Sequence, residues 1–540
     1  MKKEEILERL NEITKSYSFL YILGRIVIRD FTGPIDILFS KNNMEHLNHK
    51  EFAFLLGLWL KNVDISNHFD TETEIKVFNE VYHLMEQLHK TFIEHFTFDS
   101  QKKYDIYEHF ANGKAFQETM FYSGTGAYDN QYKNLVALKY KYDEDWIQKS
   151  KSFKIESLPK FYDNIKNVLQ DKLNGRKFRK DLPDREQILN LLCLSEKEII
   201  SENNDFSNIL DCLNLDINES NNENFNDLGD FNIYNEKPII KIDKDIYFIP
   251  SAFALSESIY ESPFYWMLND KEYQNTALKN RGDVAEEMTS KLLEPVFGAS
   301  NVYQNVIINK SKNEQVSDID ILAIYQNKAI IFQVKSKKLT ALSKNGDFDS
   351  IKKDFKKAVQ DAYEQGVICK NCLINHQDYK FSYQDENFIN KISKIHEYNI
   401  VTIVLDDYPA ITHQVHILLG NKTDELPVAI NIFDLELVAK YLPKPDNFID
   451  YISRRTKYSK LYKADNEMAY LGFHLNRGLT KLDADYAVLD YTWAQSIDRK
   501  YYNELYKEKI NIISTKKIQR NDPCFCHSGL KYKKCHGKIS

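Results

Sequence analysis

The sequence predicts an α/β core, a mixed sheet flanked by helices, set between a mainly α-helical N-terminal region and a short tail rich in Cys and His. Three observations predict it. A helix-like run, GDVAEEMTSKLLEPVF from Gly282, leads into two short apolar runs, SDIDILAIY and AIIFQVKSKK, separated by the polar Gln326, Asn327 and Lys328. Residues 1–200 repeat apolar side chains at three- and four-residue spacing, as in EEILERLNEITKSYSFLYILGRIVI and EIKVFNEVYHLMEQLHKTFIEHF. The chain closes on QRNDPCFCHSGLKYKKCHGK, which brings Cys524, Cys526, Cys535 and His536 into one short stretch.

Taken in order, residues 1–200 read as amphipathic helices forming a recognition or assembly domain. The segment FYSGTGAYDNQY interrupts them at Gly124 and Gly126. It reads as a ligand loop or a helix–helix connection; the connection is favoured, because no lysine follows the glycines as in a phosphate-binding loop. Histidines His46, His49, His68, His83, His89, His95 and His109 collect in this half. They lack the spacing of a zinc protease and a cysteine partner, and read as core, cap or surface residues. Residues 201–230 are rich in Asn and acids and read as a linker or mobile loop, with a short helix over 209–213. Residues 231–275 follow as a connecting unit: PIIKIDKDIYFIPS is a hairpin turning at Asp243 to Asp245, and FALSESIYESPFYWMLND is a helix.

The pair of apolar runs decides the chemistry. Both are too short for helices and are rich in Ile, Val, Phe and Tyr, so they predict a β-hairpin. A two-residue turn at Gln326-Asn327 sets Asp320 opposite Gln333; a turn at Asn327-Lys328 sets it opposite Lys335. Asp320, Gln333 and Lys335 converge in either register, while Phe332 and Val334 point to the other face and a core. An amide and an ammonium on an otherwise apolar strand cost stability if buried, so they suit holding a metal, a phosphate or a water. Asp318 shares the side-chain parity of Asp320 but lies farther from Gln333. An exposed Asp320–Lys335 ion pair on a surface hairpin is the plainer reading; it leaves the helix-strand-turn-strand order without a reason.

Glu286, Asp320, Gln333 and Lys335, in this order and spacing, resemble the PD-(D/E)xK nuclease superfamily, most closely its Mrr-like and nuclease-related branch. The resemblance covers about residues 280–410. It implies a restriction-endonuclease-like core over residues 276–440 and catalysis by Glu286, Asp320, Gln333 and Lys335. It also implies Mg²⁺ or Mn²⁺ held by Glu286, Asp320, Gln333 and the backbone carbonyl of Val334. Lys335 would orient the attacking water and stabilise developing charge. The implied activity is hydrolysis of phosphodiester bonds in DNA, with RNA as the other substrate class, in restriction of foreign DNA. Position 333 departs from the pattern: Gln offers a neutral carbonyl where Glu is usual, although QxK forms occur among active members. The competing reading is a catalytically silent nuclease-fold protein that binds nucleic acid or protein through its tail.

Downstream, Ile351, Phe355, Val359 and Ala362 recur at helical spacing and leave Lys352, Lys353, Lys356 and Lys357 largely on the opposite face, either solvated or attracting phosphates. NIVTIVLDDYPA and LPVAINIFDLELVAKYL add strands and a helix that complete the sheet, and residues 441–515 read as a helical extension. Cys369 and Cys372 form a CxxC with no second pair nearby, which reads as structural rather than as a zinc or redox site. In the tail, residues 516–540, two thiolates from a tight turn and a Cys-His pair suit a tetrahedral Zn²⁺. The stretch resembles the SEC-C zinc motif, with His527 where the family usually has Gly. Cys524, Cys526, Cys535 and His536 would hold a structural zinc, since four protein ligands leave no open position. Arg520, Lys531, Lys533, Lys534 and Lys538 make this knob cationic.

A length of 540 residues suits three or four domains. The net charge of −7 excludes a globally basic nucleic-acid binder, so any phosphate-binding surface is local. Seven cysteines without a signal peptide point to a reducing, cytoplasmic setting. No apolar run approaches the roughly 20 residues that span a bilayer, so no membrane partner is expected. Homo-oligomerisation or a protein partner would use the N-terminal helices or the zinc knob.

Overall fold

The computed structural model describes residues 1–32, 46–93, 117–118, 121–122, 124–174, 184–201, 203–219, 221–383, 386–419, 423 and 425–515. Its helices and mixed sheets form an α/β architecture. Among the described residues, those before 193 build helices, from Lys3–Ile13 through His49–Asn62, Thr71–Ile93, Asp129–Lys139 and Ser157–Asn174 to Arg185–Leu192. Asn48 caps the second of these, accepting from the Glu51 amide while Glu51 reaches back to the Asn48 amide.

A small sheet follows, made of β1 (Cys193–Ser195), β2 (Asn214–Asp216), β3 (Ile239–Asp243) and β4 (Ile246–Phe248), in the order β1-β4-β3-β2. The hairpin expected from PIIKIDKDIYFIPS is β3–β4, antiparallel. Side chains alternate across it: Ile239 and Tyr247 enter the core shared with the central sheet, whereas Ile240 and Phe248 enter the N-terminal helical core.

Two boundaries read from composition change here. Residues 201–230, expected as a linker or mobile loop, carry the helix Asn204–Leu213 and β2, and Phe225 is buried. Their asparagines act as fasteners: Asn222 donates to the Gly57 carbonyl and to Asn232, which donates to the Ala53 carbonyl. Low hydrophobicity misled because amide side chains satisfy backbone groups that a solvated loop would leave to water. Nor does the helical region pack as one body. Tyr132, Val136, Phe161 and Ile165 belong to the core that includes the central sheet, apart from the cluster built around Leu20, Leu55 and Trp59.

The central sheet is β5 (Val302–Ser311), β6 (Glu314–Tyr325), β7 (Lys328–Lys335), β8 (Lys380–Phe381), β9 (Glu397–Val404) and β10 (Val428–Asn431), ordered β10-β9-β7-β6-β5-β8. Strands β5, β6 and β7 form an antiparallel meander, and β7, β9 and β10 run parallel. Parallel neighbours need crossovers, which the helices Asp361–Ile374 and Ile411–Leu419 supply. On one face Ile321, Ala323, Phe332 and Val334 share a core with Val284, Ala285 and Met288 of the helix Gln274–Phe297. On the other, Leu322, Ile324 and Ile331 share one with Cys369, Cys372 and Leu373 of Asp361–Ile374. In chain order the helix Gln274–Phe297 precedes β5, β6 and β7, and the helix Asp361–Ile374 is followed by the two-residue β8, the helix Glu386–Ile392 and β9. Among the described residues no helix is long and apolar enough to cross a membrane.

Candidate active site

The β6–β7 turn takes the two-residue form. Tyr325 pairs with Lys328 and the register runs to Ile321 opposite Phe332, with Gln326 in the left-handed region at φ 54°. Asp320 and Gln333 are the next positions on each strand. The Asp320 carboxylate accepts the Val334 amide at 2.6 Å, and the Lys335 ammonium lies 3.9 Å from the same oxygen. Asp320, Gln333 and Lys335 thus meet where β7 ends, as their spacing predicts.

Gln333 is wholly buried, and its amide nitrogen donates to the Asp318 carbonyl at 3.0 Å and lies 3.5 Å from the Cys369 sulfur. Its carbonyl oxygen has no hydrogen-bond partner among the described residues. A buried acceptor without a donor costs free energy, so this oxygen fits a role as a cation or water ligand. Lys335 donates to Gln365 at 3.2 Å, and Gln365 donates to the Asp318 carboxylate and carbonyl.

Glu286 is half-buried on the helix Gln274–Phe297 and forms no hydrogen bond or ion pair with a described residue. Burial and the carboxylates of Asp320, Asp283 and Asp318 push it up to about 7, against a pull from Lys335. Burial also raises Asp320, opposed by Lys335 and the Val334 amide. Like charges crowd this end of the sheet, a condition that a divalent cation relieves. Glu286, Asp320 and Gln333 could offer a cation only oxygen donors, a set that would suit Mg²⁺ or Mn²⁺ over softer metals.

An ion network ties the Glu286 helix to this strand end. Arg281, one turn before Glu286, donates to the Ser336 carbonyl just past β7 and pairs with buried Asp406 just past β9. Lys139 lies 3.1 Å from both Asp406 and Glu261, and Lys338 pairs with Glu261. Burial opposes ionisation of Asp406, yet Arg281, Lys139 and Lys338 hold it well below the usual carboxylate range.

Gln365 escaped the sequence reading, and Cys369, read there as a structural cysteine, gave no sign that it lies beside Gln333. The available signal was Gly366, a glycine inside a helical run, which marks close backbone approach. A Cβ there would lie 2.5 Å from Ile400 of β9, so only glycine lets this helix sit down on the sheet and bring Gln365 to Lys335. Burial pushes the Cys369 thiol up to about 12 and also raises Cys372, so both are inert packing residues.

At the chain's end, Cys524, Cys526, Cys535 and His536 lie outside the described residues. Residues 520–538 match the SEC-C motif. No solved structure matches the chain. The SEC-C segment contains all four cysteine and histidine positions that the sequence singles out and follows the long helix Tyr491–Thr515.

Proposed function

We propose that this chain is a metal-dependent endonuclease of the PD-(D/E)xK type that hydrolyses phosphodiester bonds of DNA, suited to restriction of foreign DNA. The observation that carries the reading is the meeting of Asp320 and Lys335, 3.9 Å apart at the end of β7, beside the unpartnered carbonyl of Gln333. The placing of the Gln274–Phe297 helix before the β5–β6–β7 meander, with the crossover helix Asp361–Ile374 leading back to the parallel β9, supports it. Asp320, Glu286, the Gln333 carbonyl and the Val334 carbonyl would hold Mg²⁺ or Mn²⁺. What a bound divalent cation supplies is Lewis acidity toward the scissile phosphate and a more acidic water. Lys335, steadied by Gln365 and Asp320, positions the attacking water and offsets charge growing on the phosphate. Glu286, with its raised proton affinity, is suited to take a proton at neutral pH until a cation displaces it.

The SEC-C segment is proposed to hold a structural Zn²⁺ through Cys524, Cys526, Cys535 and His536, and to add a cationic contact for the nucleic-acid backbone. A second reading, a silent nuclease fold that only binds, draws on the burial of Gln333 and the tie of its amide to Asp318. The deciding experiment incubates wild type and Lys335→Ala with supercoiled, linear and modified DNA and with single-stranded RNA, in Mg²⁺, Mn²⁺ or EDTA. The nuclease reading expects metal-dependent cutting that Lys335→Ala loses while still binding DNA. Binding without cutting by the wild type under every condition favours the silent reading.

A further inference from the structure

Two adjoining cavities lie apart from the proposed nuclease site, and none of Glu286, Asp320, Gln333 or Lys335 lines either. The larger, about 290 Å³, has as its floor the C-terminal end of two parallel neighbours: Lys338 and Leu339 follow β7, and Asp406 and Asp407 follow β9. The crevice beyond the carboxyl ends of parallel strands is where open α/β sheets take their ligands. The smaller, about 120 Å³, shares Thr125, Gly126, Asp407 and Pro409 with the first and continues past Asn431 and Asp434. The glycine segment read from sequence as a connection is therefore also a wall common to both. A Cβ on Gly126 would lie 2.0 Å from the Asp407 carboxyl carbon, so only glycine leaves room there.

Negative charge is in excess along this path. In the larger cavity Asp406 and Glu261 are balanced by Arg281, Lys139 and Lys338, and Asp230 accepts the backbone amides of Asn226 and Asp227. The carboxylates of Glu257 and Asp407 make no hydrogen bond or ion pair with a described residue. Burial, Glu261 and Asp407 push Glu257 up to about 7, and the pull of Lys50 and Lys344 does not restore its acidity. Burial also raises Asp407, opposed by Lys50. Among the described residues no lysine or arginine lines the smaller cavity. Its Glu467 pairs with Arg455, its Asp498 accepts the hydroxyls of Tyr128 and Tyr491, and its Asp465 is exposed beside His413. The Asp434 carboxylate has no such partner, and burial, Glu467 and Asp407 hold it well above the usual carboxylate range.

A buried hydroxyl points to the same kind of occupant. Tyr132 is only 2% exposed, lines the larger cavity and lies within electrostatic range of Glu257 and Asp407, yet its hydroxyl bonds to no described residue. Phe121, Phe225 and Phe253 line the same space, with a His49 ring that burial pulls down to about 4 and so keeps neutral. An anion would meet uncompensated carboxylates, and an apolar ligand would leave them desolvated. An ammonium brings one positive charge and three N–H donors, for which Glu257, Asp407 and the Tyr132 oxygen are acceptors. Aromatic rings favour a cation further. A second ammonium on a slim aliphatic chain, passing Gly126, would meet Asp434. We propose that the two cavities together bind a linear aliphatic polyamine of the putrescine or spermidine type, separately from the Asp320–Lys335 site.

The test is isothermal titration calorimetry of the full chain in EDTA with spermidine, putrescine and the single-ammonium probe butylamine. About 0.15 M salt screens long-range attraction to a chain of net charge −7. Saturable binding of spermidine or putrescine is expected, with butylamine at least about tenfold weaker. Glu257→Gln and Asp434→Asn should each weaken polyamine binding about tenfold, the worth of one charge-assisted hydrogen bond. Glu72→Gln, which removes an exposed carboxylate elsewhere, should bind as wild type. Circular dichroism verifies that each variant is folded; should a carboxylate variant not fold, Tyr132→Phe, which keeps the ring, replaces it and should weaken binding several-fold. No saturable binding up to millimolar polyamine overturns the proposal. So does butylamine binding as tightly as the polyamines, affinity unchanged in either cavity variant or its replacement, or an equal loss in Glu72→Gln. Because EDTA removes divalent cations and no cutting is scored, failure here is independent of the nuclease reading.

Discussion

The carboxylate of Asp320 accepts the backbone amide of Val334 at 2.6 Å, from one strand of the β6–β7 hairpin to the other. That bond draws Asp320 toward the end of β7 and commits one of its oxygens to the protein, leaving the other for a ligand. The same strand end carries the Gln333 carbonyl and the Lys335 ammonium, so the hairpin register is also the register of the proposed chemistry.

Gln333 stands where the proposed nuclease pattern would have Glu, and its surroundings explain the amide. Its nitrogen donates to the Asp318 carbonyl inside the core, which a carboxylate could not do. Gln333→Glu is therefore expected to destabilise the metal-free protein by about 1–3 kcal/mol, through a lost donor and an added buried charge. Mg²⁺ should recover part of that loss. Urea unfolding with and without Mg²⁺ measures both, and an unchanged midpoint in EDTA would contradict this account of Gln333.

Glu286 predicts a pH dependence. Its folded pKa of about 7 lies above the ordinary 4.5, so the folded state holds this proton more tightly than the unfolded chain. The stabilisation is complete below about pH 4.5 and is lost as pH rises through about 7, a contribution of about 1–3 kcal/mol. Metal-free Glu286→Gln should lose less stability than wild type between pH 5 and pH 8, read as melting temperature. Parallel pH profiles for the two proteins would refute it.

Arg281 joins the Glu286 helix to the ends of β7 and β9 through Ser336 and Asp406. Arg281→Met leaves a buried carboxylate short of its nearest cation and should cost about 3–5 kcal/mol. Denaturant titration gives the number; a loss below 1 kcal/mol would mean that Lys139 and Lys338 suffice.

Gly366→Ala places a methyl group 2.5 Å from Ile400 and should lift the helix Asp361–Ile374 from β9. A loss of about 1–3 kcal/mol is expected from overpacking. Any nuclease rate should fall as well, because Gln365 then withdraws from Lys335. Stability and rate measured on the same preparation would separate the two effects.

Much of the site was legible in the chain because a β-hairpin is local. Period-two alternation fixes which side chains share a face, and a two-residue turn fixes which residues oppose, so Asp320, Gln333 and Lys335 followed from spacing. The helix bearing Glu286 was equally readable from its apolar rhythm. The approach of Gln365 and Cys369 to the site was not, because it depends on a crossover helix whose distance from the sheet is set by Gly366 against Ile400. The asparagine-rich stretch misread as a linker shows the same limit: Asn222 and Asn232 owe their role to carbonyls at Gly57 and Ala53, far away in the chain.

The sequence by itself determined the hairpin, the meeting of Asp320, Gln333 and Lys335 near its end, the amphipathic helices and the Cys/His spacing of the SEC-C segment, since each depends on residues close together in the chain. Only the tertiary structure decided that Arg281, Asp406, Lys139 and Glu261 neutralise one another, and that helices from both halves of the chain enclose a charged cavity. Charge pairing and cavity walls arise from side chains a hundred or more positions apart, and local periodicity carries no record of which distant element will pack opposite.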